Sequence, residues 1–290
     1  MSQTILITGG GGGFGKLMTE SLLKKGHKVI ATMRDVDGRN KEKARELADK
    51  GAVIVEMDVT NDESVNSAIQ NALSTVGEID VVVNNAGVGV AGRQESFEIS
   101  DWQKLFDINV YGVQRVSRAI IPHFREKKGG SLINVSSLLG RMTLPYYGPY
   151  NASKYAVEAL TENYRIELSQ FGISVNLIEP GGFPTEFFAN IVAPTDSARE
   201  AYYDDVHPTP QEFSDAFGEA LENNPSQNPQ DVADALVQLV ETTPTERPFR
   251  TIVDKMGMGT HLEAYNKASE EVTKGIYSAF GIDHLLNIKK

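Results

Sequence analysis

The feature that most restricts how this chain can fold is a rhythm: short runs of continuously apolar residues alternate with longer segments of helical periodicity. The runs Thr4–Thr8, Val29–Met33 and Val53–Met57 are separated by Phe14–Lys25 and Asn40–Lys50, a βαβαβ order. Further runs follow at Val81–Val83, Ser131–Val135, Ser174–Ile178 and Thr251–Val253. A strand that is apolar throughout, without alternation, is buried on both faces, as in a parallel sheet covered by helices. Helices are expected over 61–76, 101–127, 151–171 and 229–241. Thr60-Asn61-Asp62-Glu63 and Ser100-Asp101-Trp102-Gln103 fit capping boxes, and Asn228-Pro229 offers an N-cap followed by proline at the first helical position. Right-handed crossovers then wind the runs into a doubly wound, parallel, seven-stranded α/β sheet with helices on both faces.

The rhythm breaks over 183–228, which holds Pro184, Pro194, Pro208, Pro210 and Pro225 among Phe187, Phe188, Tyr202, Tyr203, Phe213 and Phe217. An insertion of this length fits a substrate-binding lid; a helical hairpin packed on the sheet edge is the alternative. Without a repeat or an internal linker, residues 1–290 are expected to form one domain, with 255–290 as a C-terminal extension. Hydrophobic residues make up 40% and charged residues 23%, the balance of a globular enzyme. The net charge of −11 repels nucleic acid and anionic lipid, so neither is an expected partner. With no cysteine there is no disulfide framework, and His27, His123, His207, His261 and His284 lack ligand spacing, so no metal is expected. Met1-Ser2-Gln3-Thr4 leads straight into the first strand with no signal-like run, and no apolar stretch could span a bilayer; a cytoplasmic location is expected.

Thr8-Gly9-Gly10-Gly11-Gly12-Gly13-Phe14-Gly15 lies between a strand and a helix, where a dinucleotide pyrophosphate binds. Glycines allow a tight turn and close backbone approach, and the helix N-terminus offers unpaired N–H groups and a positive dipole end. Gly9, Gly13, Phe14 and Gly15 are the expected contacts. The second strand ends in Met33-Arg34-Asp35. An acidic side chain here binds the ribose hydroxyls of NAD, whereas an arginine receives the 2′-phosphate of NADP. Arg34 points to NADP(H), and Asp35 reaching the ribose is the alternative. Asp58, followed by Val59, is placed to accept from the adenine amine or to start the next helix. Asn84-Asn85-Ala86-Gly87 supplies small residues over which a cofactor can lie.

Tyr150-Asn151-Ala152-Ser153-Lys154 puts a phenol and an ammonium on one helix face. A phenol near pKa 10 needs a cation close by to act near neutrality, and Lys154 supplies one. Ser137 could hydrogen-bond the substrate oxygen as charge develops.

With Thr8–Gly15, Asn84–Gly87, Asn109, Ser137, Tyr150 and Lys154 in this order, residues 4–255 resemble the short-chain dehydrogenase/reductase family, which has a Rossmann-type fold. The resemblance implies that Tyr150 gives a proton to a carbonyl oxygen while hydride arrives from nicotinamide, and that Ser137 orients that oxygen. It also implies that Lys154 lowers the tyrosine pKa and holds the ribose, and that Asn109 interrupts its helix to position a water in the proton relay. Pro180-Gly181-Gly182-Phe183-Pro184-Thr185 looks like the family's nicotinamide-binding turn, with Pro180, Gly181, Phe183 and Thr185 at the ring. Gly12 departs from the basic residue that some NADP-preferring relatives carry there, which leaves phosphate recognition to Arg34. The arrangement around Arg34 and the long C-terminal part are most similar to the 17β-hydroxysteroid and retinol dehydrogenase branch. Val88, Leu139, Leu144, Tyr147, Phe183 and Phe187 are the expected pocket for an apolar ketone or secondary alcohol, with packing as their other reading. A carbonyl reductase is the expected activity; a 3-oxoacyl thioester reductase and a non-catalytic NADP-binding regulator are the alternatives. The family habit of associating through helices equivalent to 101–127 and 151–171 implies a homodimer or homotetramer.

Overall fold

Every one of the seven apolar runs forms a strand in the computed structural model, which describes residues 2–203 and 205–289. Met1, Asp204 and Lys290, part of the expected 1–290 domain, lie outside the described residues. The strands are β1 Thr4–Thr8, β2 Lys28–Met33, β3 Val53–Glu56, β4 Val81–Asn84, β5 Gly130–Val135, β6 Ile173–Pro180 and β7 Arg250–Val253. They pair in the order β3-β2-β1-β4-β5-β6-β7, all parallel. Successive residues point to opposite faces, and both faces are dry. Ile5, Ile7, Val81 and Val83 pack on one side with Met18 and Leu22 of α1 (Gly13–Lys24) and with Leu236 of α9 (Gln230–Glu241). Ala44 and Leu47 of α2 (Lys41–Asp49) cover Ala31 and Met33 of β2. Leu6, Val82 and Leu132 pack on the opposite face with Val65 and Ile69 of α3 (Asp62–Val76) and with Val116, Ile120 and Phe124 of α5 (Gly112–Lys127). This two-sided burial is why the runs are continuous in apolar character.

Helix starts follow local chemistry more closely than the capping patterns anticipate. Asn61, not Thr60, caps α3, its side chain accepting from Ser64 N. The helix expected at 101–127 begins as α4 at Ile99, with Glu98 at the N-cap and Asp101 closing the box, so the box starts two residues before Ser100. It is then divided: α4 ends at Phe106, a wide π-turn covers Asp107–Tyr111, and α5 resumes at Gly112. At 228–229 the Asn228 side chain accepts from Gln230 N, so helix α9 starts after the proline. Helix α6 spans Gly148–Ser169, so Tyr150 falls in its first turn.

The 183–228 segment forms a short α7 (Glu186–Ala189), a 3-10 turn at Ser197–Tyr203 and α8 (Pro210–Glu222). Arg93, buried beyond β4, ties it down: the guanidinium donates to Tyr203 O and Val206 O, and lies over the Tyr203 and Tyr146 rings at 4.4 and 5.6 Å. Beyond β7, α10 (Met258–Ala279) returns along the sheet edge.

Candidate active site

Strand order reverses between β1 and β4, so the loops at the carboxyl ends of these strands diverge and leave a crevice. A cavity of about 700 Å³ opens there. It runs from the glycine loop and the end of β2, past 85–89 and the 135–139 loop, to α6, the 180–188 turn and Phe217 of α8. Met258, at the start of α10, also reaches it, so the C-terminal extension contributes to the wall.

Gly9, Gly13 and Phe14 line the cavity and Gly15 does not. Gly15 has a steric role, because a Cβ there would run into the carbonyl oxygen of Gly9. Gly9 itself has φ +65°, the left-handed region glycine tolerates. Asn85 and Thr8 fix the loop: Asn85 Nδ2 donates to Thr8 O at 3.0 Å, and Thr8 Oγ1 accepts from the amides of Asn85 and Ala86 at 3.0 Å each. At the start of α1, Gly12 provides no side-chain cap and the first turn holds no acid, so the leading amides stay available to an anion.

Arg34, Asp58 and Val59 line the adjoining end, and Asp35 does not. Asp35 is turned into its own loop, where Oδ2 accepts from Arg39 N at 2.8 Å. Asp58 Oδ1 takes the Thr60 amide and hydroxyl at 2.9 and 2.7 Å, so it also shapes the entry to α3. Burial works to raise its pKa, but the Thr60 hydrogen bonds and the fields of Arg34 and Arg115 outweigh this and hold it below the usual value. Arg39, Asn40 and Lys43 also face this end and escaped the sequence reading. Their signal was a cluster of cations after β2 in a chain of net charge −11. Lys43 Nζ is paired with Glu186 Oε2 of α7 at 2.9 Å.

At the other end Ser137, Tyr150 and Lys154 converge on the cavity with Pro180, Gly181, Phe183 and Thr185. The Tyr150 side chain is buried, and burial raises its pKa above the ordinary value; the Ser137 hydroxyl works against this, and Tyr147 adds to the rise. Lys154 Nζ donates to Val135 O at 3.0 Å and lies 5.7 Å from the centre of the Tyr150 ring. Burial lowers the Lys154 pKa to about 8, with the Glu158 carboxylate opposing the fall. Burial thus outweighs the polar neighbours of the phenol, and the Lys154 ammonium is held at the Val135 carbonyl.

Asn109 sits in the π-turn, the helix interruption expected of it, yet its side chain does not line the cavity. Its amide exchanges hydrogen bonds with Val88 N and O at 2.9 and 3.0 Å and donates to Ser153 Oγ at 3.1 Å. It thereby joins the 85–89 loop to the turn that carries Tyr150. Asn85, Ala86 and Gly87 form the floor between. Val88, Leu139, Leu144, Tyr147 and Phe187 line the apolar end, and the Phe187 ring stands 5.7 Å from that of Tyr150. Phe183 faces the cavity but is only 1% exposed and packs edge-on against Phe14, so it is also part of the core.

Comparison with known proteins places this architecture. The family model described as short chain dehydrogenase matches residues 3–196. The chain belongs to the short-chain dehydrogenase family. It is thus an oxidoreductase by family. A 3-ketodihydrosphingosine reductase of Bacteroides thetaiotaomicron is 39% identical over 188 residues, 65% of this chain and 66% of that protein. Human retinol dehydrogenase 8 is 35% identical over 197 residues, 66% of this chain and 62% of its own length. The matches thus span about two thirds or less of these curated relatives. Among solved short-chain dehydrogenases, one from Streptomyces avermitilis superimposes with a TM-score of 0.75 at 27% identity, covering 97% of this chain and 98% of that one. A Burkholderia phymatum enzyme in complex with NAD gives 0.72 at 27% identity, over 87% and 88%. A single-residue variant of actinorhodin polyketide ketoreductase with NADPH gives 0.74 at 26% identity, over 89% and 97%. Neighbours of this family therefore hold either NAD or NADP nucleotides.

Proposed function

We propose that this short-chain dehydrogenase is an NADP(H)-dependent carbonyl reductase for apolar ketones, using Tyr150 as proton donor. One observation carries the reading: Ser137, Tyr150 and Lys154 meet where the cavity turns apolar, while its far end carries the glycine loop, a free helix N-terminus and Arg34. The donor set fits a dinucleotide. Amides at the start of α1 would hold the pyrophosphate, Arg34 the 2′-phosphate, Asp58 and Val59 the adenine, and Lys154 the nicotinamide ribose. When bound, the reduced nicotinamide supplies the hydride.

The protein's share is orientation and proton supply. Ser137 and Tyr150 hydroxyls both reach a carbonyl oxygen placed between them, and Tyr150 donates the proton as negative charge builds there. Its raised pKa keeps the phenol protonated until that moment. Lys154, together with the positive charge left on the oxidised cofactor, stabilises the resulting phenolate. Asn109 holds the 85–89 loop and the first turn of α6 in register. Val88, Leu139, Leu144, Tyr147, Phe183 and Phe187 would enclose the substrate's apolar part and keep water from the reacting atoms.

NADPH-dependent turnover of aliphatic, aromatic and steroidal ketones, with a 3-oxoacyl thioester in the same panel, tests the substrate class. Turnover of the thioester alone would replace this reading by the acyl one. Tyr150→Phe is expected to lose at least about a hundredfold in kcat with NADPH binding retained; near-normal activity removes Tyr150 from the mechanism. The reading includes a homodimer or homotetramer assembled through α4–α6, whose surface exposes Ile99, Tyr111 and Tyr155. It also includes a cytoplasmic setting that supplies NADPH. No helix of the described residues is long and apolar enough to cross a membrane.

A further inference from the structure

Behind Lys154 lies a buried charge network that the proton-donor reading leaves unused. Glu158, one turn further along α6, is 1% exposed, and Glu179 of β6 is fully buried. Arg250 of β7 donates through Nε to Glu158 Oε2 at 3.0 Å, stands 3.1 Å from Glu179 Oε1, and pairs through Nη2 with Glu162. Asn266 of α10 donates to Glu179 Oε2 at 2.7 Å and accepts from Arg141 Nε at 2.8 Å.

Gly140 lets this network meet the active site. A Cβ at 140 would stand 2.8 Å from Ser136 Oγ, 3.0 Å from Glu158 Cγ and 3.1 Å from the backbone oxygen of Lys154. Glu158 Oε1 has no hydrogen-bond partner among the described residues, so Arg250 satisfies only one of its oxygens. Three carboxylates (158, 162 and 179) against two guanidiniums (141 and 250) leave one negative charge once all are ionised; burial raises the pKa of Glu158 and Glu179, the latter to about 7, so that surplus develops as the pH rises. Lys154, one helical turn before Glu158, forms no ion pair with it but lies within its field, which favours the ammonium. A buried ammonium without such an anion sheds its proton.

We propose that Glu158 is a positioning residue for the reaction: its buried carboxylate, anchored by Arg250, keeps Lys154 in the ammonium form that Tyr150 and the cofactor ribose require. The inference rests on the reading of Tyr150 and Lys154 as the working pair. Lys154 is faced by Tyr150 and Glu158 from α6 and by the Val135 carbonyl at the end of β5, while Ser137 and Tyr147 act on Tyr150 itself. Glu158 is faced by Arg250, Glu179, Glu162, Arg141, Ser136 and Lys154. Glu179 acts as a counterweight, since its charge disfavours ionisation of Glu158.

The test is the pH dependence of kcat/KM for NADPH-driven ketone reduction in the full chain carrying Glu158→Gln, Glu158→Asp or Glu179→Gln. Glu158→Gln keeps the shape and removes the charge, so the alkaline limb is expected to move down by about one pH unit, a roughly tenfold loss on that limb. Glu158→Asp restores part of the shift. Glu179→Gln removes the competing carboxylate, so its limb stays at the parent position or moves up. An unmoved limb in Glu158→Gln, or a downward shift in Glu179→Gln, overturns the proposal; the second result decides it even if Glu158→Gln does not fold. Activity surviving in Tyr150→Phe would instead sink the pair on which the inference stands, so the two failures are told apart.

Discussion

Replacing Arg34 by Ala isolates the cofactor assignment. Arg34 lines the cavity beside Asp58, and no ion pair of its own competes for its guanidinium among the described residues. Asp35, the residue that would mark an NAD site, is occupied by the Arg39 amide. A guanidinium on a phosphate makes charge-assisted hydrogen bonds worth about 1.5–3 kcal/mol. Arg34 is exposed to solvent, which places its contribution toward the lower part, about 1.5–2 kcal/mol. At 1.4 kcal/mol per decade, the Kd for NADPH should rise about 10- to 30-fold. Lys43, which shares this end of the cavity, is paired with Glu186 across an exposed bridge. NADH, lacking the 2′-phosphate, should bind almost as before. Fluorescence titration of both nucleotides against parent and variant measures the two constants in one experiment, and the NADPH loss should shrink as salt is raised. Equal losses for NADH and NADPH would refute the reasoning, and a selective NADH loss in Asp35→Ala would reassign the site to NAD.

Other consequences follow from the same geometry. Gly15→Ala drives a methyl group into the Gly9 carbonyl, and Asn85 Nδ2 stands 2.8 Å away, so thermal stability should fall by about 1–3 kcal/mol and nucleotide binding should weaken in calorimetry. Arg93→Met removes the guanidinium holding Tyr203 O and Val206 O; KM for a bulky ketone should rise several-fold while NADPH affinity is unchanged, which steady-state kinetics and titration separate. Reduction should slow as pH rises through about 8, where Lys154 loses its charge. Because the folded pKa of Lys154 lies below its ordinary 10.5, the unfolded chain binds more protons between these values, so this group's contribution to stability rises with pH across that window. Urea titrations of parent and Lys154→Met at several pH values should show the difference in slope.

The continuous apolar runs, the glycine loop after the first of them and the Tyr150–Lys154 spacing are local patterns, and they were enough to specify the strands, the crevice and the proposed reacting groups. Chain rhythm and turn chemistry act over a few residues, so they can be read along the sequence. What depends on side chains from distant segments could not. The Lys43–Glu186 pair joins residues 143 apart, and the Glu158–Arg250–Glu179 network assembles α6, β7 and β6. The pKa directions of Tyr150 and Lys154 are set by burial, which exists only once the loops and α6 pack together. Arg93 illustrates the same limit: alone it is an ordinary surface cation, and only the folded insertion buries it between Tyr146 and Tyr203. Propensity and spacing determined which elements form and which groups lie at their ends. Desolvation and long-range charge pairing, which are properties of the packed chain, decided how those groups are tuned.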